Sequence, residues 1–181
     1  MGNLNHQQLA DGLDHIQDSP SNAGLIEMLV LRPGVDERTV VDRAEFAVGA
    51  GLVGDNYVAR GSDRTEDGQA HHEAQVTIMN SRVLNLISEG DRDRWPLAGD
   101  QILVDMDLSR SNLPTGTRLS LGTVMLEVSA KPHTGCAKFA QRFGPDAAKW
   151  INSDAELRLR GINAMVITAG TCSVGDVITK L

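Results

Sequence analysis

The sequence predicts a mainly β protein with a few helices, folded as a closed β-barrel with helical decorations. Short runs rich in β-branched residues recur about every ten residues between turn residues, a spacing typical of barrels and sandwiches. Few stretches show the three-to-four-residue apolar spacing of a helix. The length of 181 residues suffices for one domain.

Residues 1–24 are expected to form an N-terminal arm, and residues 25–181 the barrel domain. Leu and Ile residues within 4–17 are spaced mostly by three to five positions, which fits a short amphipathic helix. The Ser-Pro-Ser-Asn-Ala-Gly segment that follows ends this helix. We expect the arm to pack on the domain or to stay partly loose.

Barrel strands are expected wherever apolar and polar residues alternate, or β-branched residues cluster, between turns. The segments that meet this description are Leu25–Arg32, Thr39–Val41, Phe46–Val48, Ala74–Met79, Gln101–Val104, Thr117–Leu121, Thr123–Ser129, Ile162–Thr168 and Val177–Leu181. Residues 169–176, between the last two segments, are rich in Gly, Ser and Asp and are predicted to form a turn.

Three helices are expected among the strands. A capping side chain, a favoured first-position proline and terminal glycines mark their ends. The first begins at Asn80 or Ser81 and ends at Gly90, the second runs from near Cys136 to Gly144, and the third begins at Pro145 and runs through Ile151.

The composition argues against several classes of function. A net charge of −7 and an aromatic content of 3% argue against a nucleic-acid binder, which needs cations for phosphates and rings for stacking. No apolar run approaches the roughly 18 residues of a membrane span, and no secretory signal is visible. Two cysteines, 36 positions apart, do not make a disulfide framework. We therefore expect a cytoplasmic protein that binds neither nucleic acid nor membrane.

Positive charge is concentrated in one stretch of the chain. Residues 1–130 have a net charge of −10, whereas residues 131–160 have a net charge of +3. Such a local reversal favours a focused anion site rather than a broad polyanion surface. The alternative is a solvated helix face whose charges pair with the acidic remainder.

The segment that most strongly suggests chemistry is Lys131–Phe139. Pro132 and Gly135 shape an irregular turn, which would place Cys136 near the N-terminus of a helix. Helix N–H groups and nearby basic residues would favour its thiolate, which could attack a sulfur atom, carry a persulfide or bind a soft metal. The alternative is a small buried hydrophobe, which is also our interpretation of Cys172.

A second polar cluster precedes the middle of the chain. Its members are Asp63, Glu66, Asp67, His71, His72 and Glu73. Such side chains can bind a divalent metal and support a hydrolase, but adjacent histidines on a strand would point to opposite faces. A mobile loop is the alternative.

Asp55 and Asp176, each after a glycine, are expected to accept hydrogen bonds from backbone N–H groups of their turns, with direct cofactor contact as the alternative.

Several segments occur in an order typical of one family. They are Gly51-Leu52-Val53-Gly54-Asp55, Gln75-Val76-Thr77-Ile78-Met79, Asp107-Leu108-Ser109, Leu113-Pro114-Thr115-Gly116-Thr117-Arg118-Leu119 with Gly122, the Pro132–Cys136 turn, and Arg160-Gly161-Ile162-Asn163-Ala164 with Gly170 and Gly175-Asp176. In this order they resemble a stand-alone MOSC domain, named for the C-terminal domain of molybdenum-cofactor sulfurases. The resemblance covers about residues 25–181.

The resemblance implies a barrel like the pyruvate kinase barrel domain, which binds the molybdenum cofactor and carries sulfur on a cysteine that matches Cys136. Molybdopterin ends in a phosphate, and its metal takes a soft ligand, so Cys136 is the candidate sulfur carrier or molybdenum ligand. The candidate cofactor-binding residues are His133, Lys138, Arg142, Arg158 and Arg160. One element departs from the family: many relatives have Glu-Asn or Arg-Glu-Asn before the middle strand, where this chain has Ala98-Gly99-Asp100-Gln101-Ile102.

The resemblance also implies partner proteins. In the sulfurases a pyridoxal-phosphate cysteine desulfurase domain delivers the sulfur, and 181 residues leave no room for one, so pyridoxal phosphate would belong to a partner desulfurase. Some stand-alone relatives are linked to molybdenum-dependent reduction of N-hydroxylated compounds, which implies a reductase partner. The sequence leaves open whether two copies form a homodimer.

Three functional hypotheses follow. The first is a molybdenum-cofactor-binding MOSC protein that acts through Cys136 as a sulfur carrier, a sulfurtransferase or a component of a molybdenum-dependent reductase. The second is a non-catalytic β-barrel that binds a small anion while Cys136 stays inert. The third, a metal-dependent hydrolase, rests on the polar cluster before Ala74.

Overall fold

A computed structural model describes residues 4–62 and 65–181 and confirms the mainly β class. Strands account for most of the regular structure, and short helices pack outside them. The strands are β1 Ala23–Leu31, β2 Thr39–Val41, β3 Arg43–Ala47, β4 Gly51–Leu52, β5 Val76–Asn80, β6 Ile102–Asp105, β7 Arg118–Leu121, β8 Val124–Val128, β9 Ile162–Thr168, β10 Gly170–Ser173 and β11 Val177–Lys180.

Seven strands form the closed barrel that the sequence predicts. Their order is β11-β7-β8-β9-β5-β6-β1, and β1 closes the circle by pairing with β11. The β5–β6 pair is parallel and the other pairs are antiparallel. The last three residues of β1, Leu29–Leu31, also form an antiparallel pair with β2 outside the barrel order.

Strand β1 contributes side chains to two hydrophobic cores, and a bulge changes which of its positions face each core. The register with β6 shifts between Ile26 and Met28, so Ile26 and Leu29 belong to the barrel interior while Met28 and Val30 face outwards. The outer core lies between the barrel wall and the helices. Each fully buried aliphatic side chain stabilises the fold by about 1.5–3 kcal/mol.

A second sheet, in the order β10-β3-β4, flanks the barrel. The turn predicted for residues 169–176 is wrong over Gly170–Ser173, which pair with β3. Gly170 lies so close to Thr123 that a side chain at this position would collide with it. This glycine therefore permits β10 to approach the turn between β7 and β8 closely and does not itself mark a turn.

The helices are α1 His6–Asp11, α2 Leu13–Gln17, α3 Tyr57–Arg60, α4 Ser81–Ile87, α5 Ala137–Phe143 and α6 Pro145–Ile151, with 3₁₀ turns at His72–Ala74 and Arg92–Ala98. The helix expected over residues 4–17 is split at Gly12, which packs tightly against Leu86. Buried Leu9 and Ile16 hold these two helices in the outer core. The expected starts of the other three helices are confirmed, because Asn80 caps α4, Cys136 occupies the N-cap of α5, and Pro145 begins α6.

The sequence of α5 explains how its first residues reach the surface. Phe139 and Phe143, one turn apart, are buried in the outer core with ring centroids 4.7 Å apart. The residues directly before them, Lys138 and Arg142, therefore share a neighbouring face outside that core. Cys136 precedes the helix and is exposed.

In the described part of the chain, no helix is long and apolar enough to cross a membrane.

Candidate functional site

A cleft of about 410 Å³ lies beside the start of α5. Five of the six predicted site residues line it, four from residues 133–142 and one from the segment before β9: His133, Cys136, Lys138, Arg142 and Arg160. The sixth, Arg158, lies instead in a smaller cavity on the other side of the 131–134 segment. The structure therefore brings the thiol and four of the predicted basic residues together and separates Arg158 from them.

Cys136 is placed where its thiolate is favoured. Partial burial opposes ionisation, but the backbone N–H groups of Phe139 and Lys138 and the charge of Arg160 outweigh it, so the pKa of the thiol is lowered. The side chain is exposed and lines the cleft. The inert buried cysteine considered from the sequence does not describe this residue, because an exposed thiol of lowered pKa is accessible for reaction.

One carboxylate holds both basic residues of α5. Both Asp36 oxygens lie 2.8 Å from the Lys138 ammonium, and one lies 2.7 Å from the Arg142 guanidinium. The hydrogen bond from Lys138, together with the charges of Lys138 and Arg142, outweighs desolvation and lowers the pKa of Asp36. We call Asp36, Lys138 and Arg142 the exposed trio, because the lysine and aspartate side chains are about half exposed.

A second carboxylate, Asp100, holds the other two predicted basic residues that line the cleft. It lies 2.7 Å from His133 Nε2 and 2.6 Å from Arg160 Nη1, and its side chain is fully buried. Arg160 also donates to the Ala98 carbonyl oxygen and lies over the Phe139 ring. We call Asp100, His133 and Arg160 the buried trio. The Ala98–Ile102 segment that departs from the family pattern therefore supplies the centre of this trio.

The protonation states of the buried trio follow from its charges. Burial alone would raise the pKa of Asp100, but Arg160 and His133 lower it to about 2, so this group is a carboxylate at neutral pH. A carboxylate only accepts hydrogen bonds, so His133 Nε2 carries the proton between them. Burial and the charge of Arg160 lower the pKa of His133 against the opposing effect of Asp100. His133 is therefore neutral at pH 7 and contributes a hydrogen bond rather than the positive charge expected from the sequence.

Three arginines of the cleft were missed because they lie outside the basic stretch, and no local motif marks them. Arg32 binds Asp55 at 2.7 and 3.0 Å and also donates to the Gly99 carbonyl oxygen. Arg38 has a buried Nε that no described residue accepts, and burial and the charges of Arg142 and Arg32 lower its pKa. Arg60 is the third. An anion in the cleft would relieve this crowding of positive charge.

The other acidic and thiol candidates have structural positions. Asp55 accepts the Tyr57 N–H as well as binding Arg32, and Asp176 accepts the Ser173 N–H, as expected for turn residues. Cys172 is buried in the barrel core, where burial and the charge of Asp176 raise its pKa to about 12. It is a packing residue, as expected.

The second polar cluster forms a different structure from the strand considered for it. His72 begins a 3₁₀ turn, and the rings of His71 and His72 stack with centroids 5.3 Å apart. The expectation of opposite faces is wrong because neither residue lies on a strand. Asp63 lies outside the described residues. In residues 4–62 and 65–181, no group of three or more His, Cys, Asp or Glu residues is arranged to hold a metal ion.

Comparison with known proteins supports the resemblance seen in the sequence. The fold is similar to the YuaD protein of Bacillus subtilis, with a TM-score of 0.65 and 18% identity over 86% of this chain and 94% of that one. It is also similar to YiiM from Escherichia coli, with a TM-score of 0.57 and 18% identity over 86% and 69% of the two chains. YiiM from Geobacillus stearothermophilus gives a TM-score of 0.58 and 16% identity over 87% and 75%. A comparison with curated proteins gives no significant match.

The family model of the MOSC domain matches residues 65–179. This range covers well over half of the chain and includes β5 to β10, the buried trio and Cys136. The match confirms the family named from the sequence motifs, so the chain belongs to the MOSC family, which is associated with the C-terminal domains of molybdenum-cofactor sulfurases.

Proposed function

We propose that this protein binds the molybdenum cofactor in the cleft and acts through Cys136 as a sulfur carrier or a molybdenum ligand. One observation carries the proposal: an exposed thiol of lowered pKa shares a single cleft with a cluster of arginines. A soft ligand and an anion-binding region are the two features that molybdopterin needs, because it bears a metal at one end and a phosphate at the other.

The described residues fit this group in size and chemistry. A volume of about 410 Å³ lies within the range of about 300–1,000 Å³ that small-molecule and cofactor sites occupy. Arg38 has an unpartnered buried Nε in the cleft, and Arg142 lies near enough to lower its pKa. These two arginines would hold the phosphate, since a planar guanidinium donates two parallel hydrogen bonds to phosphate oxygens.

Cys136 would carry sulfur by exchange with a partner protein. Its thiolate attacks the terminal sulfur of a persulfide on a cysteine desulfurase; the new sulfur–sulfur bond leaves Cys136 as a persulfide, and the donor cysteine departs as a thiolate. No external oxidant or reductant is needed, because the sulfane sulfur keeps its oxidation state. The bound cofactor would supply the redox chemistry of molybdenum if the protein acts as a component of a reductase.

The experiment that tests the proposal is metal and pterin analysis of protein from a host that makes the cofactor. We expect molybdenum and pterin to co-purify with the wild type and with Cys172→Ala, the control variant that removes the buried thiol instead of the exposed one. The Cys136→Ala variant should retain its fold and lose the metal or the capacity to carry a persulfide. Equal cofactor content and equal sulfur transfer in wild type and Cys136→Ala would refute the role of this cysteine.

A second candidate, a module that binds a small anion without catalysis, is favoured by one observation. Two of the cleft's cations, Lys138 and Arg142, are already paired with Asp36, as they would be in a protein that only binds and releases anions. The reaction rate with iodoacetamide separates the candidates. An accessible Cys136 with a pKa below the usual value of about 8.5 supports chemistry, whereas an unreactive thiol supports the binding module.

A further inference from the structure

The smaller cavity, of about 140 Å³, is separated from the cleft by the 131–134 segment. Its far wall is formed by residues between 151 and 158, and the two spaces share residues 131–134, Arg160 and Asn163. None of the exposed trio lines it, and Cys136 does not line it either. This cavity is therefore a second site beside the cleft rather than an extension that reaches the thiol.

Positive charge dominates the described residues that line this cavity. Arg110, Lys131, Arg158 and Arg160 are the cations, and Asp154 is the carboxylate. Asp154 is engaged in the chain itself, because one of its oxygens accepts the backbone N–H groups of residues 156 and 157. Arg160 is paired with the buried Asp100, so Arg110, Lys131 and Arg158 are the cations that remain, and with Asp154 they leave the cavity lining net positive.

Two arginines crowd one part of the cavity. Arg158 donates to the Leu113 carbonyl oxygen at 2.6 Å, and burial and the charge of Arg110 lower its pKa. Arg110 meets Glu156 only at 3.3 Å, and both side chains are more than half exposed, which makes this a weak pair. Arg158 also has a φ of +48°, a conformation that is uncommon outside glycine and recurs at functional sites.

The remaining wall is apolar, and a buried donor lies at the boundary with the cleft. Ile151 and Ile162 are buried and line the cavity together with Pro132. The side chain of Arg160 is 8% exposed, and its Nε has no acceptor among the described residues. The volume is close to that of an engineered apolar cavity of about 150 Å³ that binds benzene.

From this combination we propose that the smaller cavity binds a small organic anion, with one carboxylate at Arg110 and Arg158 and a ring-sized apolar body against the isoleucines. The apolar wall favours such a ligand over a simple inorganic anion, because it removes the ligand's hydrocarbon surface from water. The inference does not rest on the cofactor proposal, since metal and pterin content tests one site and carboxylate binding tests the other.

The test is calorimetric titration of the full chain with benzoate, using benzamide as the uncharged ligand of the same shape. We expect benzoate to bind the wild type at least tenfold more tightly than benzamide. Arg158→Gln and Arg110→Gln should each weaken benzoate binding about tenfold. The exposed Arg110 also provides a variant that keeps its fold if Arg158→Gln does not. Arg142→Gln, which changes only the cleft, should leave the affinity for benzoate unchanged.

Three outcomes would overturn the proposal. Equal affinity for benzoate and benzamide would remove the role of charge, and absence of benzoate binding would remove the site. A loss of affinity in Arg142→Gln with none in Arg110→Gln would place the carboxylate in the cleft instead. None of these outcomes bears on the molybdenum content of the protein, so the two proposals fail separately.

Discussion

The exposed trio and the buried trio each join one aspartate to an arginine and to a second side chain, Lys138 in one and His133 in the other, and their surroundings are opposite. In each, one aspartate lies between two basic side chains at 2.6–2.8 Å. Asp100 is fully buried, whereas about half of the Asp36 side chain is exposed. Charges in the interior are held without competition from water, while exposed pairs are screened and exchange with solvent easily. An aspartate between two nitrogen-bearing side chains is therefore a fixed support where it is buried and a solvent-exchanging pair where it is exposed.

This difference indicates what each trio does for the cleft. The buried trio joins the segment before β6, the 131–136 turn and the start of β9, which are far apart in the chain. It therefore positions the turn that carries Cys136. The exposed trio joins α5 to the loop after β1 through a half-exposed carboxylate. If the cleft binds a phosphate group as proposed, that group would take the place of Asp36 at Lys138 and Arg142.

The largest expected change in stability follows from removing the buried carboxylate. Asp100→Asn leaves the buried Arg160 without a counter-charge, and we expect the free energy of unfolding to fall by about 3–5 kcal/mol. Urea denaturation followed by Trp fluorescence measures it. The matched substitution Asp36→Asn in the exposed trio should change stability far less. Similar losses in the two variants would show that burial does not separate the two trios.

A smaller change is expected in the stabilising contribution of Asp100 when the pH is lowered. Because the pKa of Asp100 is lowered to about 2 in the folded protein, its stabilising contribution is complete above the unfolded value of about 3.9 and is lost as the pH falls towards 2. The gap in unfolding free energy between wild type and Asp100→Asn should therefore narrow by about 2 kcal/mol between pH 4.5 and pH 2. Urea titrations across this range measure the gap, and a constant gap would contradict the ionised state of Asp100.

His133 also makes the folded protein less stable as the pH falls, but in a higher pH range than Asp100 does. Its folded pKa is lowered, so the unfolded chain takes up a proton first as the pH falls through about 6.5, and stability decreases. Replacement by Gln, which cannot take up a proton, should flatten the stability profile between pH 7 and pH 5. The same urea titrations measure it, and an unchanged slope would show that His133 is not held in its neutral form.

Local signals predicted much of the fold, and long-range pairing explains what they missed. The bounds of β2 and β9 were predicted correctly because alternating β-branched residues and turn residues mark them. The start of α5 was predicted from the turn around Cys136. By contrast, β10 exists because it pairs with β3, more than 120 positions earlier, and Gly170 has the same local signal in a strand as in a turn.

The site shows the same limit more strongly. Cys136 and four basic residues of the cleft were predicted because they lie within one basic stretch. Their partners were not, since Asp36 is 102 positions from Lys138 and Asp100 is 33 positions from His133. A single sequence contains no signal for such pairs. It also could not show that burial would make His133 neutral, because ionisation depends on neighbours brought together by folding.

The smallest expected effect tests the exposed trio directly. Asp36→Asn removes the internal anion and should raise the affinity of the cleft for inorganic phosphate about two- to tenfold, because Lys138 and Arg142 no longer have to release a carboxylate first. Asparagine accepts the φ of +62° at this position as readily as aspartate does, so the loop keeps its conformation. Calorimetric titration with phosphate measures the change.

The control for this prediction is the neighbouring residue. Glu37→Gln removes one negative charge from the same loop, but the Glu37 side chain makes no ion pair with Lys138 or Arg142 in the described part of the chain. It therefore reproduces the change in net charge without freeing the two cations. If both variants raised phosphate affinity equally, the gain would come from the general field of the protein. A gain confined to Asp36→Asn would show that the carboxylate of the exposed trio occupies the place of the anion that this cleft binds.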